Sequence, residues 1–159
     1  MNGKLACSVI GLVLALVPPA VAAELIGQAR VVDGDTIEIH SQRIRLHGID
    51  APESSQTCLR AGRPERCGQI AANALADRIG RQTVRCEQHD VDRYRRIVAV
   101  CWAGATDLNG WMVEQGLAIA YRRYSLDYVA AEERARSARR GIWGTTFDDP
   151  AEYRRQHPR

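Results

Sequence analysis

Polar and apolar residues alternate on both sides of Ser41-Gln42, and this alternation restricts the fold more than any other feature of the chain. Thr36 to His40 carries Ile37 and Ile39 on one side, and Arg43 to Ile49 carries Ile44 and Leu46 on one side. A period of two residues is that of a half-buried strand. With Ser41 and Gln42 as the turn, His40 faces Arg43, Ile39 faces Ile44 and Ile37 faces Leu46. All the apolar pairs then share one face, as a hairpin over a core requires. Glu38 comes opposite Arg45 on the other face, and Asp35 opposite Gly48.

The remaining pattern extends this hairpin into a mixed fold. Val31-Val32 leads into the turn signal Asp33-Gly34, and a loop follows from Asp50 to about Arg66 with Pro52, Gly62 and Pro64. Gly68 to Ile79 has helical spacing, with Ile70, Ala74, Leu75 and Ile79 on one side and Gly80 as its stop. Thr83–Glu87 and Arg96–Trp102 read as strands around a turn. Leu108–Gln115 and Leu126–Arg140 read as helices, with a short extended piece at Ala118–Tyr121. Strands first, helices later and hairpin connections between them predict an α+β domain on an antiparallel sheet or small barrel. Trp102, Trp111 and Trp143 fit packing positions.

The first residues do not belong to this domain. Lys4 opens a basic start, Leu5–Val17 is almost wholly apolar, and Ala20-Val21-Ala22 is a small-residue cleavage pattern. That is the build of a secretory signal peptide, expected to be cut after Ala22. Pro18-Pro19 interrupts the run, which is also short for a membrane span of ~20 residues. We therefore read 1–22 as signal, 23–143 as the folded domain and 144–159 as a polar tail that frays.

Four cysteines lie beyond the leader: Cys58, Cys67, Cys86 and Cys101. An even number in an exported chain implies disulfides, with three possible pairings. Cys86 and Cys101 lie symmetrically about the second turn, so Cys86–Cys101 with Cys58–Cys67 is the preferred set. The spacing is not that of a zinc site. The formal charge of +3 is compatible with a polyanionic partner without demanding one. Lys4 is the only lysine, so every other fixed cation is an arginine.

Hydrolysis of a phosphodiester requires cations aimed at the phosphoryl oxygens and a group that takes a proton from water. Asp35, Arg45, Asp50 and Glu53 are candidates, and the hairpin brings the three carboxylates toward one end of the sheet. Such a cluster suits a hard, oxygen-preferring cation such as calcium. From spacing alone, a plain turn, a Glu38–Arg45 ion pair and a loop start explain the same residues.

The motifs shift that balance. Val32-Asp33-Gly34-Asp35-Thr36, Arg45-Leu46-His47-Gly48-Ile49-Asp50-Ala51-Pro52-Glu53 and Asp92-Arg93-Tyr94-Arg95-Arg96 resemble the thermonuclease family, whose type member is staphylococcal nuclease. Leu108-Asn109, Gln115-Gly116-Leu117-Ala118 and Gly141-Ile142-Trp143 follow in the family's order, so the likeness runs from about Val31 to Trp143. It implies an OB-fold barrel of about five strands with three helices packed on it. It also implies Glu53 as general base, Arg45 and Arg96 as the cations facing the transition state, and Asp35 and Asp50 as side-chain calcium ligands. Ala51 sits where the family binds the ion through a backbone carbonyl. The family cuts DNA and RNA, preferring single strands, and leaves 3′-phosphate ends, so similar products are implied here. Arg95 stands where the family usually has glycine, and a positive φ there would strain it by roughly 1 kcal/mol. Cys58 and Cys67 lie in a loop that has no such pair in the type member.

Aromatics interleaved with cations suit an unpaired strand, because bases stack on rings while guanidinium groups follow phosphates. By resemblance, Arg93, Tyr94 and Tyr121 contact substrate. Tyr124 and Tyr128 are read as packing residues. Arg134, Arg136, Arg139 and Arg140 with Glu132 and Glu133 are read as an exposed charged face. His40, His47, His89 and His157 receive no catalytic role. These features predict a monomeric nuclease of the periplasm or medium. The competing reading is a non-catalytic OB-fold module that binds nucleic acid, which would have no need of the three carboxylates together.

Overall fold

The computed structural model describes residues 24–158, so the leader expected over 1–22 lies outside the described residues. The chain begins with β1 (Glu24–Gln28) and β2 (Arg30–Asp33). The first is only half-buried on its inner side, so it carries too weak an alternation to be read from sequence. The expected hairpin is β3 (Thr36–Ile39) with β4 (Gln42–Leu46), but its register differs. Ile37 pairs with Ile44 and Ile39 with Gln42, which makes His40 and Ser41 the turn. Both have positive φ, 51° and 64°, as the mirror-image turns that follow strand twist require.

A slip of two positions returns each side chain to its original face. Ile37, Ile39, Ile44 and Leu46 therefore remain in the core, each at 1% exposure or less. Partners on the outer face do change. Glu38 lies opposite Arg43 and pairs with Arg30, not with Arg45, which faces Thr36. Asp35 comes beside Leu46, whose amide donates to its carbonyl, rather than beside Gly48.

Beyond β5 (Ile49–Asp50), the expected loop contains a small hairpin of β6 (Cys58–Arg60) and β7 (Arg63–Glu65). Helix α1 (Cys67–Ile79) ends at Gly80, as read from the sequence. Strands β8 (Thr83–Val91) and β9 (Ile97–Ala103) follow, then β10 (Thr106–Asp107), α2 (Leu108–Glu114), β11 (Ile119–Ala120) and α3 (Val129–Ser137). Both preferred disulfides are present, Cys58–Cys67 and Cys86–Cys101, the latter between directly paired residues of β8 and β9.

The main sheet runs in the order β1-β8-β9-β4-β3-β2, with β10 on β9. The two ends of that path, β1 and β2, are separated in the chain by Ala29 alone. This short link forces the sheet to curl round on itself, giving the barrel of an α+β OB-fold. The β4–β9 pair is parallel, so their neighbouring turns need another tie. Buried Asn109 supplies it: its amide donates to the carbonyls of His47 and Ala99 and accepts from the Cys101 amide. Leu75, Ile79, Val84, Leu108, Met112 and Val113 fill the space between barrel and helices.

Three sequence expectations are corrected here. The stretch from Gly144 is structured rather than an irregular tail. Thr146 bridges Leu59, Phe147 packs against Trp143, and α4 (Pro150–Gln156) follows. Asp149 caps that helix by accepting from the amides of Ala151 and Glu152, with Pro150 in its first turn. Glu132 is not on an exposed face but is 2% exposed, accepting from the Ala120 amide and pairing with Arg122. Arg134 and Arg140 both engage Glu114. Tyr128 is buried as expected, whereas Tyr124 is exposed.

Candidate active site

Two buried carboxylates form the floor of the site. Asp35 precedes β3, where the Asp33 side chain accepts its amide and fixes the turn. Asp50 ends β5. Arg45, reaching from β4 between them, donates to Asp35 Oδ1 at 2.8 Å and to Asp50 Oδ1 at 2.8 Å. The second oxygen of Asp35 accepts the Ala51 amide at 3.0 Å. Exposure is only 4% for Asp35 and 0% for Asp50. Burial raises the pKa of both carboxyls, outweighing Arg45 at Asp35 and both Arg154 and Arg45 at Asp50. Burial also opposes the charge of Arg45, but Asp35 and Asp50 hold its pKa above the ordinary value. Desolvation thus works against the ionised form of both carboxyls, and Arg45 between them offsets that cost only in part.

Glu53 stands on a loop that is fixed from three directions. Its amide donates to Gln56 Oε1, and its carbonyl accepts the Gln56 amide at 2.7 Å. Gln56, fully buried, also donates from Nε2 to the Asp148 carbonyl at 2.7 Å. From below, the first turn of α1 presses on the loop at Gly68: a Cβ there would lie 1.7 Å from the Glu53 carbonyl oxygen. Only glycine permits that approach. The Cys58–Cys67 disulfide ties the same loop to the start of α1.

The C-terminal helix then completes the site with a cation absent from the sequence reading. Arg154 donates from one nitrogen to Asp50 Oδ1 at 3.0 Å and to Glu53 Oε1 at 2.9 Å. Its other terminal nitrogen donates to Asp50 Oδ2 at 2.8 Å. Burial works against the charged form, yet Asp50 and Glu53 keep its pKa well above the usual arginine value. The signal available in the sequence was Asp149-Pro150, a helix-start pair. Gln56 and Gly68 offered no comparable signal, since their roles depend on which segments meet.

Arg96 approaches from the β8–β9 turn. Asp92 organises that turn by accepting from the amides of Tyr94 and Arg96 and from Arg96 Nε at 2.8 Å. Arg95 has φ 64°, so the left-handed position is retained with arginine in it. Arg96 donates weakly to Thr36 Oγ1 at 3.5 Å, and that hydroxyl donates to Asp35 Oδ1 at 3.2 Å. Tyr94 is 69% exposed, with the guanidinium carbons of Arg93 and Arg96 at 5.2 Å and 5.6 Å from its ring centre. Tyr121 follows β11, whose partner is β5, and its amide donates to the Gly48 carbonyl. It meets Tyr124 edge-to-face.

The expected residues therefore fall into two groups. Asp35, Arg45, Asp50, Ala51 and Glu53 are linked in one network, and Arg96 adjoins it through Thr36. Arg93 and Tyr94 are exposed beside Arg96 on the β8–β9 turn, and Tyr121 is half-buried against Gly48. Among the described residues, no group of three or more His, Cys, Asp or Glu side chains is arranged to hold a metal ion. The donor chemistry nevertheless suits a hard cation, since the candidate ligands are all oxygens and two of them belong to buried carboxylates. Arg154 now engages both oxygens of Asp50.

Residues 43–145 match the family model described as staphylococcal nuclease homologue. A succinoglycan biosynthesis protein, ExoI, of Rhizobium meliloti (strain 1021) is 42% identical over 149 residues, covering 89% of this chain and 78% of the relative. An uncharacterized endonuclease of Haemophilus influenzae is 35% identical, covering 80% and 71%. A micrococcal nuclease of Shigella flexneri is 35% identical, covering 79% and 78%. The family match begins after Asp35 and ends before α4.

Proposed function

The chain belongs to the staphylococcal nuclease family, and from that membership we propose that it is an exported, calcium-dependent nuclease with Glu53 as general base. It is a hydrolase acting on nucleic acid. The finer reading rests above all on one observation: Arg45 is half-buried between Asp35 and Asp50, with Glu53 held against the same network through Arg154.

In this reading Glu53 takes the proton of the attacking water. Arg45 and Arg96 donate to the equatorial oxygens of the phosphate, where charge accumulates during attack. Their planar forks match two oxygens at once. Asp35, Asp50 and the Ala51 carbonyl are the residues that would hold calcium. When bound, the ion draws charge from a phosphate oxygen and orients water. A new P–O bond forms from water as the bond to the 5′-oxygen breaks, so the products are a 3′-phosphate and a 5′-hydroxyl end. Tyr94 and Tyr121 offer stacking faces for unpaired bases, with Arg93 beside the backbone. The protein acts as a monomer on single-stranded DNA or RNA.

Two disulfides fit an oxidising, extracytoplasmic compartment. The signal read over 1–22 directs the chain to the periplasm or medium. Incubation of the purified protein with single-stranded DNA, with calcium or with chelator, tests the activity. Cleavage confined to the calcium sample is expected. Tight binding without cleavage in either sample would instead favour the OB-fold binding module.

A further inference from the structure

The C-terminal segment contacts the site at every level. Thr146 is bridged to Leu59, the Asp148 carbonyl accepts from buried Gln56, and the Tyr153 hydroxyl lies 3.3 Å from that of Ser55. At its end, Arg154 engages both oxygens of Asp50 and one of Glu53, at 2.8–3.0 Å. These are oxygens of the carboxylates to which the proposed function gives the ion and the attacking water. We infer that Arg154 is a tethered cation competing with free calcium for Asp50 and Glu53, so that the C-terminal helix sets how tightly the site takes its ion.

Three features carry the inference, which rests on the calcium reading above. The first is the overlap of partners: Asp50 accepts one guanidinium hydrogen bond from Arg45 and two from Arg154, which occupies most of its lone-pair directions and compensates the charge that a divalent cation needs. The second is the ease of release. Arg154 keeps 36% side-chain exposure against 17% for Arg45, so water can receive its charge as it leaves. The third is the weak anchorage of α4, in which Pro150 is the only buried residue. A short helix with little apolar burial opens at small free-energy cost.

Competition has a quantitative form. If only the open fraction of molecules accepts the ion, the apparent affinity is the intrinsic one reduced by that fraction. Calcium must in turn loosen the helix by the same factor.

Calcium chloride is titrated calorimetrically into the wild type, Asp50→Asn, Arg154→Ala and Arg154→Ala with Asp50→Asn. Arg154→Ala is expected to tighten binding by about tenfold or more, the equivalent of one released charge-assisted hydrogen bond. Binding should be lost in both proteins that carry Asp50→Asn. In the wild type, amide exchange at Tyr153–Gln156 should accelerate when calcium saturates. That second measurement needs no variant to fold. Unchanged or weaker calcium affinity in Arg154→Ala, or exchange in the helix indifferent to calcium, overturns the inference. If Asp50→Asn still abolishes binding in that case, the calcium site stands without the competing arginine. Calcium binding that ignores Asp50→Asn, or none in any protein, overturns both.

Discussion

At the scale of single residues, Glu53 and Asp92 make opposite demands on the same surface. In the proposed mechanism Glu53 exchanges protons, and Gln56 and Gly68 hold its backbone while its carboxylate faces the network. Glu53→Gln keeps that shape and removes the base, so turnover should fall by roughly 10²–10⁴ with the unfolding midpoint unchanged. A folded Glu53→Gln protein of full activity would remove the residue from the mechanism. Asp92, in contrast, should stay ionised. Burial opposes its charge, but the amide and side chain of Arg96 hold its pKa below the ordinary 3.8. For an acid with a depressed folded pKa, the stabilisation is present above the unfolded value and fades as pH falls through the folded one. Amide protection at Tyr94 and Arg96 should therefore begin to fade below pH 3.8 and be lost as pH falls through the lower folded value, and Asp92→Asn should lack that acid step. A carbon-13 titration of the Asp92 carboxyl would reveal the order of these events. That Asp35, Arg45, Asp50 and Glu53 meet was legible from motifs resembling the thermonuclease family, since their spacing alone fits a turn, an ion pair and a loop start equally well. Gln56 was not, because a polar side chain is driven inside only by partners from distant segments, here the Asp148 carbonyl.

Elements were legible in type more than in detail. The alternation in β3 and β4 identified the hairpin and its buried face, since a slip of two keeps both. It could not identify the turn, because His40 and Ser41 are unusual residues for a pair with positive φ. That mismatch can be tested: His40→Asn with Ser41→Gly should raise stability by about 1 kcal/mol, measured by urea unfolding. Helix α4 was hidden for another reason. Its residues are polar nearly all round, so no apolar stripe announces it, and its hold on the fold comes from a cap and ion pairs. Asp149→Ala should cost the helix about 1 kcal/mol, seen as faster amide exchange at Ala151 and Glu152 with the barrel unaffected.

At the scale of the whole molecule, the OB-fold barrel followed from the order of motifs, while the strand at its margin did not, because β1 gives almost no signal of its own. Both disulfides act on this scale. Cys86–Cys101 closes a separation of 15 residues and Cys58–Cys67 one of 9, so loss of either pair to alanine should lower stability by about 2.5–3 kcal/mol on chain-entropy grounds. The two should differ in function, since only Cys58–Cys67 adjoins the Glu53 loop. Turnover measured at a temperature where both variants remain folded would separate the effects. The single-residue spacer at Ala29 bears on the same architecture. A protease cut there would break no ladder hydrogen bond, yet it would unlink the two margins of the cylinder. Each margin would then be free to peel away and expose backbone to other chains. The curl of the sheet thus depends on one half-buried alanine as well as on covalent sulfur.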